Sequence, residues 1–263
     1  MRIIAVMNQK GGVGKTTTAI NLASALCHYG HKSLLLDLDP QGSATFGLGE
    51  NPRAQKATIY EVLASHLNIT QAVLSTPFEG LDLVPVNLRL AQFEGGEGRD
   101  RRQAAELRAA LANLPPKLYD YVIIDCPPSM GLLSLNALAS ADSVLVPVQC
   151  EAFALDAVSM ALSRIASAQR DLNPTLGIEG FLLTMYDERT RLGTQVQSEV
   201  RGNYREKTFH SMIPRNQSIP ESQARGMPVT VFRPTSASSL AYLSLAREVM
   251  DQDAALAKKN AAH

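Results

Sequence analysis

The feature that most constrains this chain is Gln9-Lys10-Gly11-Gly12-Val13-Gly14-Lys15-Thr16-Thr17. An apolar run at residues 3–7 precedes it and a helix-like stretch at residues 15–29 follows it. A glycine-rich turn between a strand and a helix is the context a phosphate-binding loop requires. Glycines let backbone N–H groups converge on phosphate oxygens without Cβ clashes. The helix that follows offers its positive N-terminal end. Lys15 supplies a point charge for β- and γ-phosphates, the Thr16 hydroxyl suits Mg²⁺, and Thr17 reaches the α-phosphate. Gln9 stands where the usual pattern has its first glycine, and an extra lysine, Lys10, follows it.

The rest of the chain alternates short apolar runs with amphipathic ones. Strands are expected at residues 3–7, 33–38, 81–86, 121–125, 143–148, 178–185 and 208–213. Helices are expected at 15–29, 101–112, 132–140, 154–169, 192–204 and from 236 to about 257. Apolar runs of this length suit strands buried on both faces, and the alternation predicts an α/β fold, a doubly wound and mostly parallel sheet with helices on both faces. A single domain over 1–263 is expected, with residues 95–98 a flexible loop and the tail 254–263 frayed.

Two of the expected strands end in carboxylates. One runs into Asp37-Leu38-Asp39-Pro40-Gln41 and the other into Asp125-Cys126-Pro127-Pro128. In open α/β sheets ligands sit beyond the carboxyl ends of the strands, which brings both near the glycine turn. Asp125 is expected to hold Mg²⁺ through its water shell, Asp37 to support that shell, and Asp39 to orient an attacking water.

Composition excludes several classes. The formal net charge is zero, which argues against a uniformly basic nucleic-acid binder but leaves room for a local patch. Three widely spaced cysteines, Cys27, Cys126 and Cys150, do not form a disulfide or zinc pattern and point to a reducing, cytoplasmic compartment. The apolar start of the chain is too short for a signal peptide or a membrane span.

Taken in order, these motifs resemble the ParA/MinD family of deviant-Walker ATPases, closest to the ParA/Soj branch. The matching residues are those at 8–18, 37–42 and 125–128, then Leu183-Thr184-Met185, Ile213-Pro214-Arg215-Asn216 and Glu221-Ser222. The resemblance implies ATP and Mg²⁺ as ligands, with hydrolysis to ADP and phosphate; turnover without a partner is expected to be slow, because no strong general base is evident and phosphoryl transfer rests on positioning. It implies that the backbone of Gly11, Gly12, Val13 and Gly14 holds phosphates together with Lys15, Thr16 and Thr17. Lys10 would reach across an ATP-dependent homodimer to the partner's phosphates, and Pro214 and Asn216 would lie near the adenine. It further implies non-specific double-stranded DNA binding, a ParB-like stimulating protein, and positioning of a chromosome, plasmid or other cargo on the nucleoid.

Residues 186–233 carry eight basic side chains against five acidic ones. Arg189, Arg191 and Arg215 are the expected DNA contacts there, because the family places its DNA-binding arginines in this part of the chain. A second basic cluster, Arg99, Arg101, Arg102 and Arg108, reads as a solvated helix face. Only seven residues precede Asn8, so a preceding sequence-specific DNA-binding domain is not expected. A MinD-like membrane ATPase would need a basic amphipathic end with bulky apolar residues, and the tail is poor in them. An iron–sulfur carrier would need cysteines that neither Cys126 nor Cys150 has beside it.

Overall fold

The computed structural model describes residues 1–95 and 101–261. Eight strands form one sheet: β1 (Arg2–Val6), β2 (Ser33–Asp37), β3 (Leu74–Ser75), β4 (Leu81–Val84), β5 (Tyr121–Asp125), β6 (Ser143–Gln149), β7 (Gly177–Tyr186) and β8 (Thr208–Pro214). Their spatial order is β3-β4-β2-β5-β1-β6-β7-β8. Every pairing is parallel except β3 with β4, a two-residue antiparallel edge absent from the expected strands.

The strands are apolar on both faces, and their alternation divides the core in two. Leu34, Leu36, Val122 and Ile124 point into one cluster, beneath helices that include Leu132–Ser140 and Ala154–Asp171. Leu35, Tyr121 and Ile123 point into the other, against the helices Lys15–His28 and Ala237–Ala261. Successive side chains on a strand face opposite sides, so one apolar run serves both layers.

The expected helix at 101–112 is instead a 3₁₀ segment, Arg101–Ala105, followed by an α-helix, Glu106–Leu111. Asn136 explains the break. Its Oδ1 accepts from Leu107 N at 3.0 Å and its Nδ2 donates to Gln103 O at 2.9 Å, replacing intrahelical bonds at the junction. The last helix runs on to Ala261 rather than ending near Ala257, over Ala257-Lys258-Lys259-Asn260-Ala261, four of them Ala or Lys, which are strong helix formers. The loop expected at 95–98 lies almost wholly outside the described residues.

Short helices that the periodicity did not predict line the rim of the sheet: Ser43–Gly47, Ile59–Leu63, Ile69–Ala72, Ser218–Ala224 and Val229–Phe232. Two of them meet where Gly226 touches Gly49. Gly226 adopts φ 64°, and a Cβ there would lie 2.5 Å from Gly49 Cα and 2.7 Å from its N. Backbone cannot yield as a flexible side chain can. Gly226→Ala should therefore lower stability by about 1–3 kcal/mol in urea denaturation; an unchanged midpoint would show that this approach is not tight.

Candidate functional site

The glycine turn leaves β1 and enters the helix Lys15–His28. Gly12 and Gly14 adopt φ 75° and 90°, a left-handed backbone that disfavours any side chain. Gly14 caps the helix without a side-chain hydrogen bond, so the first N–H groups are free for an anion. The turn is pinned from behind. Thr184 Oγ1 donates to Val13 O at 2.9 Å, Asn8 Nδ2 donates to Pro147 O at 2.7 Å, and Asn8 Oδ1 accepts from Lys10 N at 3.0 Å. Lys15 is 7% exposed, and its ammonium reaches the turn's own carbonyl, Lys10 O, at 3.4 Å.

In front of the turn lies a cleft of about 910 Å³. Gly11, Gly12, Gly14, Lys15, Thr16 and Thr17 form one wall, and Asp39 to Ser43 form another. Phe46, Gly47, Asn51, Pro52, Arg53, Leu88, Pro128, Met185, Gln223 and Ala224 complete it. A volume of this size and a phosphate-sized polar floor suit a nucleotide.

Beneath the cleft, parallel register sets Asp37 of β2 directly beside Asp125 of β5. Both carboxylates are fully buried, yet they are treated differently. Asp37 is saturated: it accepts from Asp39 N at 3.2 Å, and from Thr45 N and Thr45 Oγ1 at 2.7 Å each. Asp125 accepts no backbone hydrogen bond; among the described residues only the Thr16 hydroxyl approaches it, and neither of its oxygens makes a well-formed hydrogen bond. A buried polar atom without a partner costs about 1–3 kcal/mol, so this one calls for a cation or its waters. Thr16 and Lys15 stand close enough to favour its ionised form. A hydroxyl, a carboxylate and water are the oxygen donors that Mg²⁺ prefers, so the residues present fit that ion.

Burial first, and then the neighbouring Asp37 charge, push the Asp125 carboxyl well above the ordinary carboxylate range. Burial also raises Asp37, to about 6, against the pull of its hydrogen bonds from Thr45 and Asp39. Asp39 is 9% exposed and lines the cleft, with its Oδ1 held by Gln41 N at 3.0 Å.

A family model described as an AAA domain matches residues 1–178. Sporulation initiation inhibitor protein Soj of Bacillus subtilis is 44% identical over 248 residues, 94% of this chain and 98% of that protein. Chromosome partitioning protein ParA of Caulobacter vibrioides is 43% identical over 257 residues, 96% of this chain and 95% of that protein. The chain belongs to the ParA/Soj family. A crystal structure described as cobyrinic acid a,c-diamide synthase from Mycobacterium smegmatis, with bound ATP analogue and magnesium, superposes with a TM-score of 0.81. It is 38% identical, and the match covers 94% of this chain and 93% of that one.

Not every residue expected of a ParA/Soj protein meets in the cleft. Lys10 turns aside: its Nζ pairs with Glu151 Oε2 at 3.2 Å, beside a shallow depression that includes Phe153 and Met160. Pro214 ends β8, and Asn216, two residues before the helix Ser218–Ala224, accepts from Ser218 N at 2.8 Å. Neither lines the cleft, whereas Gln223 and Ala224 of that helix do. Arg189, Arg191 and Arg215 gather beyond the carboxyl ends of β7 and β8 and are exposed. Arg189 grips Asp187 with Nε at 2.9 Å and Nη2 at 2.8 Å, which with the Arg215 charge holds that carboxyl down at about 2. Other basic groups of the segment are engaged locally: Arg201 with His210 O, and Arg233 with Glu221. Of the second cluster, Arg108 is exposed on its helix, Arg99 lies outside the described residues, and nothing is described of the Arg101 and Arg102 side chains.

The pair of buried carboxylates has a measurable consequence. A carboxyl raised on folding stabilises the native state fully below its unfolded pKa, and that stability is lost as pH rises through the folded one. Asp125→Asn removes this loss. Without nucleotide or Mg²⁺, the variant should unfold about 2–4 °C above the parent at pH 7, with the gap closing toward pH 4. A lower midpoint at pH 7 would mean that Asp125 is compensated in the native protein.

Proposed function

We propose that this chain is an ATP-driven positioning switch that hydrolyses ATP to ADP and phosphate and holds double-stranded DNA without sequence preference while ATP is bound. The observation that carries the reading is the buried Asp125 carboxylate, without a backbone hydrogen bond and set beside Thr16 and Lys15, beneath a glycine turn whose helix N-terminus is free. The ParA and Soj relatives, and the magnesium and ATP analogue described for the Mycobacterium smegmatis protein, support the same assignment.

In this reading the turn's N–H groups and Lys15 bind the β- and γ-phosphates, and Thr17 takes the α-phosphate. Thr16 would hold Mg²⁺ directly and Asp125 would hold its water shell, while Asp37 fixes the turn that carries Asp39. Bound Mg²⁺ neutralises charge on the β- and γ-phosphate oxygens. Asp39 orients a water in line with the γ-phosphorus; the bond from that phosphorus to the β–γ bridging oxygen breaks as the bond to water forms. Lys10 exchanges Glu151 for the γ-phosphate of a second copy, so that dimer closure depends on the phosphate that hydrolysis removes. A charge supplied from a partner subunit is worth about 10³–10⁵ in rate where an arginine does it, so turnover by one chain alone should be slow. A ParB-like protein would speed the step, and Pro214 and Asn216 would frame the base through the helix they hold. Arg189, Arg191 and Arg215 of both copies would then face DNA phosphates together.

Two measurements test this. Lys15→Ala should weaken ATP binding about 10–100-fold in a nucleotide titration, the scale of a charged hydrogen bond removed; parent-like affinity would remove the phosphate-loop assignment. Arg215→Glu should leave ATP affinity unchanged but cut ATP-dependent retention on random-sequence DNA about tenfold, with a shallower salt dependence. Undiminished retention would move the DNA face elsewhere.

A further inference from the structure

Gln223 lies 206 residues from Thr17, yet its Nε2 donates to Thr17 Oγ1 at 2.9 Å inside the cleft. A threonine in the first turns of a helix ordinarily bonds its hydroxyl back to the carbonyl four residues earlier. For Thr17 that carbonyl is Val13 O, which already accepts Thr184 Oγ1. The carbonyl three residues earlier, Gly14 O, already accepts Thr18 N at 2.9 Å. A hydroxyl has one hydrogen to donate and two lone pairs to accept with. Gln223 fills one lone pair, and among the described residues Thr17 Oγ1 donates to neither carbonyl, so its hydrogen is left for an acceptor in the cleft.

We infer that Gln223 is a positioning residue, which aims the Thr17 hydroxyl hydrogen at the α-phosphate of the bound nucleotide. This rests on the phosphate-loop reading above. The contact closes a polar seam along one face of the helix Lys15–His28, at positions 17, 21 and 24. Asn21 Oδ1 accepts from Val229 N at 2.7 Å, and Ser24 Oγ lies 2.7 Å from Thr230 Oγ1. Asn21 Nδ2 also donates to Thr17 O at 2.7 Å. Those bonds lie outside the cleft and fix the segment after Gln223, so the segment stays in place when the Gln223 amide is removed. Gln223 alone among the three partners reaches the cleft wall.

The α-phosphate is common to ATP and ADP, which sets the signature. Gln223→Ala should weaken ATP and ADP alike by about 3–10-fold in equilibrium titrations, the range for one neutral hydrogen bond. KM for ATP should rise by the same factor with kcat at saturation and the unfolding midpoint unchanged. Gln223→Glu preserves the shape but accepts where glutamine donates, turning the hydroxyl hydrogen away, and should lose at least as much. In a Thr17→Val background, Gln223→Ala should cost nothing further. Parent-like affinity in Gln223→Ala, or an equal loss with and without the Thr17 hydroxyl, would overturn the inference. Lys15→Ala, run alongside, separates the two readings. If Lys15→Ala binds ATP like the parent, the phosphate-loop reading fails and takes this inference with it. If Lys15 matters and Gln223 does not, only the role of Gln223 falls.

Discussion

Parallel pairing of β5 with β1 and β2 places Asp37 and Asp125 side by side, both fully buried, and the site is organised by how those two charges are accommodated. Asp37 is neutralised from within the protein, by two backbone N–H groups and a hydroxyl. That choice starts the helix Ser43–Gly47 and fixes the turn on which Asp39 faces the cleft. Asp125 receives no backbone hydrogen bond, only the Thr16 hydroxyl comes near it, and its oxygens stay available to a cation. Two chemically identical side chains thus take different parts, one architectural and one open to a ligand, because only one strand end is followed by a turn that folds back over its carboxylate.

The same economy governs the two lysines of the glycine turn. Lys15 is enclosed and directed along the turn, whereas Lys10 reaches outward to Glu151 at the surface. Phe153, two residues beyond Glu151, is exposed in a left-handed backbone at φ 68°, a conformation that costs about 1–3 kcal/mol for a side chain of its size. An exposed ion pair beside an exposed aromatic is readily exchanged, since such pairs contribute only about 0–1 kcal/mol. Burial therefore already distinguishes the two lysines of the turn.

Much of the fold was legible because strands buried on both faces leave an unambiguous apolar run. All seven expected strands are present, and the helix Leu132–Ser140 has the bounds its pattern predicts. The short helices at the rim were missed because four to seven residues are too few to show a period. Two of them did carry a readable signal. Thr58 and Glu61, and Asn68 and Gln71, stand at capping-box spacing, and both boxes form. The break near Ala105 carried no such signal, since it depends on Asn136 arriving from another helix. Met185 and Gln223 were equally unreadable as parts of the cleft: one owes its place to a left-handed φ of 51° at the end of β7, the other to a helix docked against a distant one.

The sequence by itself determined the glycine turn, its lysines and the two carboxylate-ending strands, because these are local matters of backbone freedom and apolar periodicity. It also carried the ParA/Soj kinship, which the similarity along nearly the whole chain bears out. Only the tertiary structure decided which carboxylate is left without partners, which lysine is enclosed, and which side chain aims the Thr17 hydroxyl. Those outcomes depend on strand register and helix docking, which bring together residues up to 206 positions apart. A hydrogen bond is settled by the last ångström of approach, and no local pattern in a chain records that distance.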